Sequence, residues 1–298
     1  MPLPLSRSPI AAGALSDSQA TLRGIGLTLL SAIMFACTNA AAKWVMAGIP
    51  TGEMLWMRSV VALSLISLFI SRAEVGALWT GRQLHLHALR IGCSAIEVCC
   101  FYWAISQMPL ADMTTIYLAS PIYVTALAAI FLREHVGWRR WIAVVAGFGG
   151  VLIAVRPSGD TVSSAAIVGV CGSMLYAISL VATRRLRATP STLLVAVQMA
   201  ALLLLSSTSM AWGWVMPNPF QFLLMIAIGI VSMVAFWCLN QGLRLAPASA
   251  VAPFNYSSII WATTLGFLIF GDIPAPATLA GAAVIVGAGL FIVLRRGW

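Results

Sequence analysis

The chain has 298 residues, of which 61% are hydrophobic and only 8% charged, and its mean hydropathy is +0.97. A soluble domain averages about 45–50% apolar and about 25% charged residues, so this composition excludes one and marks an integral membrane protein. The net charge of +9 does not point to nucleic acid, because the 17 basic residues are scattered and form no run interleaved with aromatics.

Residues 1–23, "MPLPLSRSPIAAGALSDSQATLR", lack the basic-then-apolar order of a cleaved signal peptide and read as a short disordered cytoplasmic tail. Ten apolar segments follow, at 24–46, 50–71, 86–107, 110–132, 139–155, 162–184, 190–211, 219–242, 247–270 and 275–294. Each is long enough to cross a bilayer as a helix, the form that satisfies every backbone amide where water is absent. With both termini cytoplasmic, every basic residue except Lys43, Arg58 and Arg156 falls on the inner side, fourteen of 17, as the positive-inside rule requires. The expected location is therefore a bacterial inner membrane, with several passes.

The first span ends in "TNAAAK", with Thr38, Asn39 and Lys43, and the second carries Arg58. The third holds "EVCCFYW" at 97–103. Its Glu97 lies about ten residues from the inner end, or about 15 Å into the bilayer. An acid at that depth is costly unless paired or wet. Three readings stand open for Glu97: a structural ion pair with Arg58, a substrate-amine or proton site, and a neutral buried acid.

Later spans add rings and amides. Thr114, Tyr117, Pro121 and Tyr123 lie on the fourth span, Tyr176 and Ser179 on the sixth, and Trp237, Asn240 and Gln241 on the eighth. Pro253, Phe254, Asn255, Tyr256, Ser257 and Trp261 lie on the ninth. With Tyr102 and Trp103, these aromatics can make a slot for flat or apolar side chains, and the uncharged polar groups can hold an ammonium or a carboxylate. Each alone is as well explained by core packing or interhelical hydrogen bonding. The six cysteines form no CxxC pair and read as small buried packing residues, and the three histidines as interfacial ones.

Residues 94–155 align with 232–293 at an offset of 138, with ten identities including Ser94/Ser232, Pro109/Pro247, Ser120/Ser258 and Gly149/Gly287. Shared punctuation supports the duplication: a proline before the fourth and ninth spans, an acid at the following turn (Glu134/Asp272), and Gly-rich fifth and tenth spans. Five spans per copy means that the second enters the membrane from the opposite side. Such an inverted repeat favours a transporter with its substrate site near the midplane. The spacings Ala143/Gly147 and Ala283/Gly287 are expected to let the last helix of each half pack closely as scaffold.

"AAKWVMAGIPTGEMLWMRSVVA", "MPLADMTTIYLASPIYVTALAAIFLREHVGWRRWIAVVAGFGGVLIA" and "APASAVAPFNYSSIIWATTLGFLIFGDIPAPATLAGAAVIVGAGLFIV" resemble the EamA family of the drug/metabolite transporter superfamily, over about residues 24–294. Within it the chain is similar to YddG-type aromatic amino-acid exporters. The resemblance implies an all-α integral membrane protein of ten transmembrane helices in two inverted five-helix repeats, 24–155 and 162–294. It also implies a central cavity from spans 1, 3, 4, 6, 8 and 9, and export by alternating access. Asp272 stands where the family usually has Glu, and Ile259 stands where a second "ASP" proline would align, with Pro253 six residues earlier.

The expected function is a secondary transporter exporting aromatic and other apolar amino acids and related metabolites. The alternative is a proton-coupled exporter of drugs or cationic compounds using Glu97. The substrate-binding candidates are Asn39, Glu97, Tyr102, Trp103, Thr114, Tyr117, Tyr176, Trp237, Asn240, Phe254 and Asn255. Lys43, Arg58, Pro121 and Pro253 are expected to serve as gating or structural positions. No cofactor or metal is expected, and the partners are a small-molecule substrate and the lipid bilayer, with no nucleic acid, for a monomer. An intramembrane enzyme lacks its parts: HExxH is absent and "GCSAI" at 92–96 fails GxSxG.

Overall fold

A computed structural model describes residues 9–70, 84–131, 138–155, 163–186, 189–209, 213–245 and 256–294. Among them every regular element is helical. In chain order they are α1 (Pro9–Val45), α2 (Thr51–Ile66), α3 (Leu84–Gln107), α4 (Leu110–Tyr117), α5 (Ser120–Phe131), α6 (Trp138–Val155), α7 (Ser164–Arg185), α8 (Ser191–Ser207), α9 (Pro219–Leu245), α10 (Ser258–Phe270) and α11 (Pro276–Leu294). One 3₁₀ turn, Ser67–Phe69, extends α2.

Prolines set many of the starts. Pro50, Pro109 and Pro190 occupy the N-caps of α2, α4 and α8 with nearly one geometry, φ −55 to −57° and ψ 139 to 143°. That extended conformation ends the preceding loop, and the missing proline N–H removes no helical bond there. Pro219 and Pro276 open α9 and α11 at the first helical position. The N-terminal segment differs from the expected disordered tail, because α1 begins at Pro9 and runs without interruption into the first apolar span. "AAGAL" after that proline is rich in good helix formers.

Five described helices are long and apolar enough to cross a membrane: Gln19–Val45, Thr51–Phe69, Leu84–Gln107, Ser164–Thr183 and Pro219–Leu245. Four more apolar helices are shorter, at Trp141–Ala154, Ser191–Ser207, Ser258–Phe270 and Pro276–Ala288. The expected fourth span is not one helix but two, α4 and α5, with the break at Leu118–Ala119. Pro121 has no N–H for the carbonyl of Tyr117. The chain makes short-range bonds instead, from the amide of Ala119 to the Ile116 carbonyl (3.2 Å) and from that of Ile122 to the Ala119 carbonyl (2.9 Å).

Packing repeats across the two halves. α1 packs most extensively on α9, and its counterpart α7 on α3; α2 packs on α8 and α6 on α11, each against its own counterpart. This exchange is what a duplicated five-helix unit related by a pseudo-two-fold axis produces. The close α6–α11 crossing forms as expected but at different residues. Gly150 and Gly281 meet there, each leaving no room for a Cβ, whereas Gly147 faces Ile122 of α5 and Gly287 faces open space.

Buried residues form one cluster around Met54, Ile105, Leu110 and Met225, a second around Ile122, Tyr123, Ala177 and Ile285, and a third joining α2 to α8 through Ala62 and Met199. Outward faces carry Leu204, Val145, Leu152, Phe267 and Leu268, all strongly exposed, as a lipid-facing surface demands. Two of the cysteines also lie on such faces: Cys37 and Cys171 are exposed, against the expectation of burial, while Cys93 and Cys238 are buried.

Candidate functional site

A cavity of about 160 Å³ lies at the seam between the halves, on the order of ten water-sized positions and so matched to one small molecule. Its wall comes from α1, α3, α4, α7, α9 and α10, with Arg58 from α2, Leu118 from the break after α4 and Ser120 from the start of α5.

On α3 the positions Glu97, Val98, Phe101 and Tyr102 face inward, the i, i+1, i+4, i+5 pattern of one helical stripe. On α1, Ser31, Phe35 and Asn39 recur every four residues on the inner face. Tyr102 joins the two helices by donating its hydroxyl to Asn39 Oδ1 at 2.9 Å. Thr114 and Tyr117 come from α4 and Tyr176 from α7. The rings make a connected set: Phe101 meets Tyr102 and Tyr117 edge-on with centroids 5.3 and 4.9 Å apart, and Tyr117 lies 5.9 Å from Tyr176. Gly172 on α7 gives this set its room, because a Cβ there would stand 2.6 Å from the Tyr117 hydroxyl.

Two ionisable side chains share the cavity. Glu97 and Arg58 are both almost fully buried and both line it, yet they do not form the ion pair that was one sequence expectation. Arg58 instead donates Nε to Ser232 Oγ on α9 at 2.9 Å and stacks its guanidinium near Tyr102 (5.0 Å) and Phe236 (5.7 Å). The Tyr117 hydroxyl donates to the Glu97 backbone carbonyl at 3.4 Å, which places that ring beside the acid.

Beyond the cavity, one turn along α1 from Asn39, Lys43 forms the one ion pair among the described residues, Nζ to Asp272 Oδ2 at 3.0 Å. Its Nζ also donates to the Met108 carbonyl at 3.3 Å and lies 4.8 Å from the Phe270 ring centre. Asp272 is aimed by the end of α10, where Gly271 adopts φ 69° and the amide of Asp272 donates to the Gly266 carbonyl at 3.1 Å.

The structure thus brings Asn39, Glu97, Tyr102, Thr114, Tyr117, Tyr176 and Arg58 to one cavity. Trp103 is not among them: it is 39% exposed, turned away from the stripe that carries Tyr102. Trp237 is likewise a residue past the inward-facing Phe236 and packs against the cluster joining α2 to α8. Asn240 is buried beside the cavity residue Leu239 without lining the cavity, and its Nδ2 has no hydrogen-bond partner among the described residues. Pro253, Phe254 and Asn255 lie outside the described residues, and Pro121 occupies the second position of α5, just after the break. Sequence reading missed Phe35, Phe101 and Phe236 as lining rings. The first two sit four residues from Asn39 and Glu97, so the helical period could have found them.

Comparison with known proteins agrees with this architecture. The model of the EamA-like transporter family matches twice, over residues 22–156 and 163–294. A riboflavin transporter of Vibrio cholerae is 27% identical over 280 residues, covering 91% of this chain and 93% of that one. The pseudopaline exporter of Pseudomonas aeruginosa is 29% identical, with 89% and 94% covered, and an S-adenosylmethionine uptake transporter of Rickettsia bellii 23% identical, with 91% and 93% covered. A solved crystal structure, 19% identical, superposes with a TM-score of 0.66 and covers 94% of this chain and 98% of its own. Two matched repeats, a cavity at their seam and relatives that move small molecules leave one assignment: the chain is a membrane transporter and belongs to the EamA-like transporter family.

Proposed function

We propose that this transporter exports amino acids, aromatic and other apolar ones together with related metabolites, across the bacterial inner membrane. Its two repeats cross the bilayer five times each in opposite senses, with both termini cytoplasmic, and alternate access to the central cavity. One observation carries the substrate reading: a cavity of single-molecule size walled by Phe35, Phe101, Tyr102, Tyr117, Tyr176 and Phe236 and holding one acid and one base. Rings suit a flat or apolar side chain, and the two charges suit the polar end of an amino acid. The relatives carry three different cargoes, one by export and one by uptake, so neither cargo nor direction is inherited from them.

A second reading, proton-coupled export of cationic compounds, is supported by the Glu97 carboxylate, which lines the cavity with no ion-pair partner among the described residues. Arg58 in the same cavity weighs against it, since a purely cationic cargo would face like charge at low dielectric. Uptake into proteoliposomes of labelled Phe, Tyr, Trp, Met, Thr, Lys and a quaternary-ammonium drug, with and without a pH gradient, separates the two. The expected result is saturable uptake of aromatic amino acids exceeding that of Lys and the drug. Gradient-driven drug uptake that Glu97→Gln abolishes, with no aromatic amino acid moved, would establish the second reading instead.

A further inference from the structure

We infer that Arg58 is the anion anchor of the cavity: its guanidinium takes the carboxylate of the cargo, Glu97 takes the ammonium, and the transported species is zwitterionic. The inference rests on the amino-acid reading above and assigns to Arg58 a binding role beyond that of a structural charge.

Two buried arginines invite comparison. Arg90 is 3% exposed and every nitrogen of its fork is engaged: Nε donates to Thr183 Oγ1 at 2.8 Å, one terminal nitrogen to the Leu194 carbonyl at 3.1 Å, and the other to Gln198 Oε1 at 3.4 Å. It ties α3 to α7 and α8 with all three nitrogens engaged. Arg58, 1% exposed, is held differently. Nε is tethered to Ser232 and the plane is flanked by Tyr102 and Phe236, while one terminal nitrogen, NH1, is buried with no hydrogen-bond partner among the described residues.

An unpartnered guanidinium nitrogen at mid-membrane is expensive, because a buried donor left unmade costs its desolvation and a buried cation needs a counter-charge. No carboxylate in the described structure supplies one within ion-pair reach. A carboxylate entering the cavity would give NH1 its acceptor and the charge its partner. The Nε tether and the two rings fix the fork in advance, so binding orders little further. Glu97, on the same cavity wall and with no cation within ion-pair reach among the described residues, is the complementary site for an ammonium. Unpaired with each other, the two form a dipole that selects cargo carrying both charges.

Three indole ligands of nearly equal size test this on the full-length chain: tryptophan, with both charges; tryptamine, with the ammonium alone; and indole-3-propionate, with the carboxylate alone. Affinity is read from ligand-induced thermal stabilisation in detergent and from competition for uptake in proteoliposomes. Wild type should bind tryptophan most tightly. Arg58→Gln should weaken tryptophan and indole-3-propionate by roughly tenfold to a hundredfold and leave tryptamine within about twofold. Glu97→Gln should give the mirror image. Ser232→Ala removes only the tether and should give a smaller loss confined to the two carboxylates, so the anchor stays testable should Arg58→Gln fail to fold. Equal weakening of all three ligands by both the Arg58 and Ser232 variants would overturn the anchor while leaving amino-acid transport intact. Binding of none of the three by wild type would overturn both.

Discussion

Lys43 illustrates how single side chains divide the labour in this molecule. Its position at the end of α1 brings Nζ to Asp272, on the turn after α10, so one ion pair ties the first helix of one repeat to the penultimate helix of the other. Both side chains retain some exposure, 17% and 28%, so the pair contributes about 1 kcal/mol or less to stability. Its effect should appear in transport instead. Lys43→Ala or Asp272→Ala should change the maximal uptake rate several-fold with a melting temperature within a few degrees of wild type. The exchange Lys43→Asp with Asp272→Lys should recover part of the rate. Unchanged uptake in all three would make the pair incidental. The sequence announced Lys43, Asp272, Glu97 and Arg58 as charges in oil, because a charge among apolar residues stands out on composition alone. It did not announce their partners: Glu97 and Arg58, the obvious pair, line one cavity without forming an ion pair, and Arg58 Nε goes instead to Ser232 on α9.

Helices and their ends were the most legible scale. The apolar runs gave the bounds of α3, α6, α7, α9 and α11 to within a few residues, and the proline noted before the fourth span stands at the N-cap of α4. What the runs concealed was the break between α4 and α5, since apolar length is blind to one missing N–H, and the helical state of residues 9–23, where small residues gave no strong signal. Helix contacts were legible as a pattern of small residues but misplaced by a turn. A Cβ on Gly281 would stand 2.6 Å from the Gly150 carbonyl oxygen and 2.8 Å from Ala154 Cβ, so α6 and α11 would have to separate. Gly281→Ala should therefore destabilise the protein by about 1–3 kcal/mol, read as a lowered melting temperature in detergent. Gly287→Ala, facing open space, should leave it unchanged. Equal effects of the two would contradict the crossing described.

At the scale of the whole molecule, the duplication in the sequence and the exchange of helix contacts describe the same object, two copies of one unit meeting at a cavity. Which residues face that cavity was half legible. Helical period from Glu97 leads to Phe101 and sets Trp103, six residues on, about 120° away, but which face of α3 meets the cavity is decided only by its packing on α7 and α1. The central claim is that cargo passes through this cavity, and blocking it is the most direct test. Ala36, 5% exposed on α1, and Ala262, 2% exposed on α10, both line it, and a larger side chain at either would occupy the space of the cargo. Uptake of labelled phenylalanine into proteoliposomes should be saturable for wild type and fall at least tenfold in Ala36→Phe and in Ala262→Phe, with both variants eluting as wild type by size exclusion. Wild-type uptake by both well-folded variants would contradict passage through the cavity.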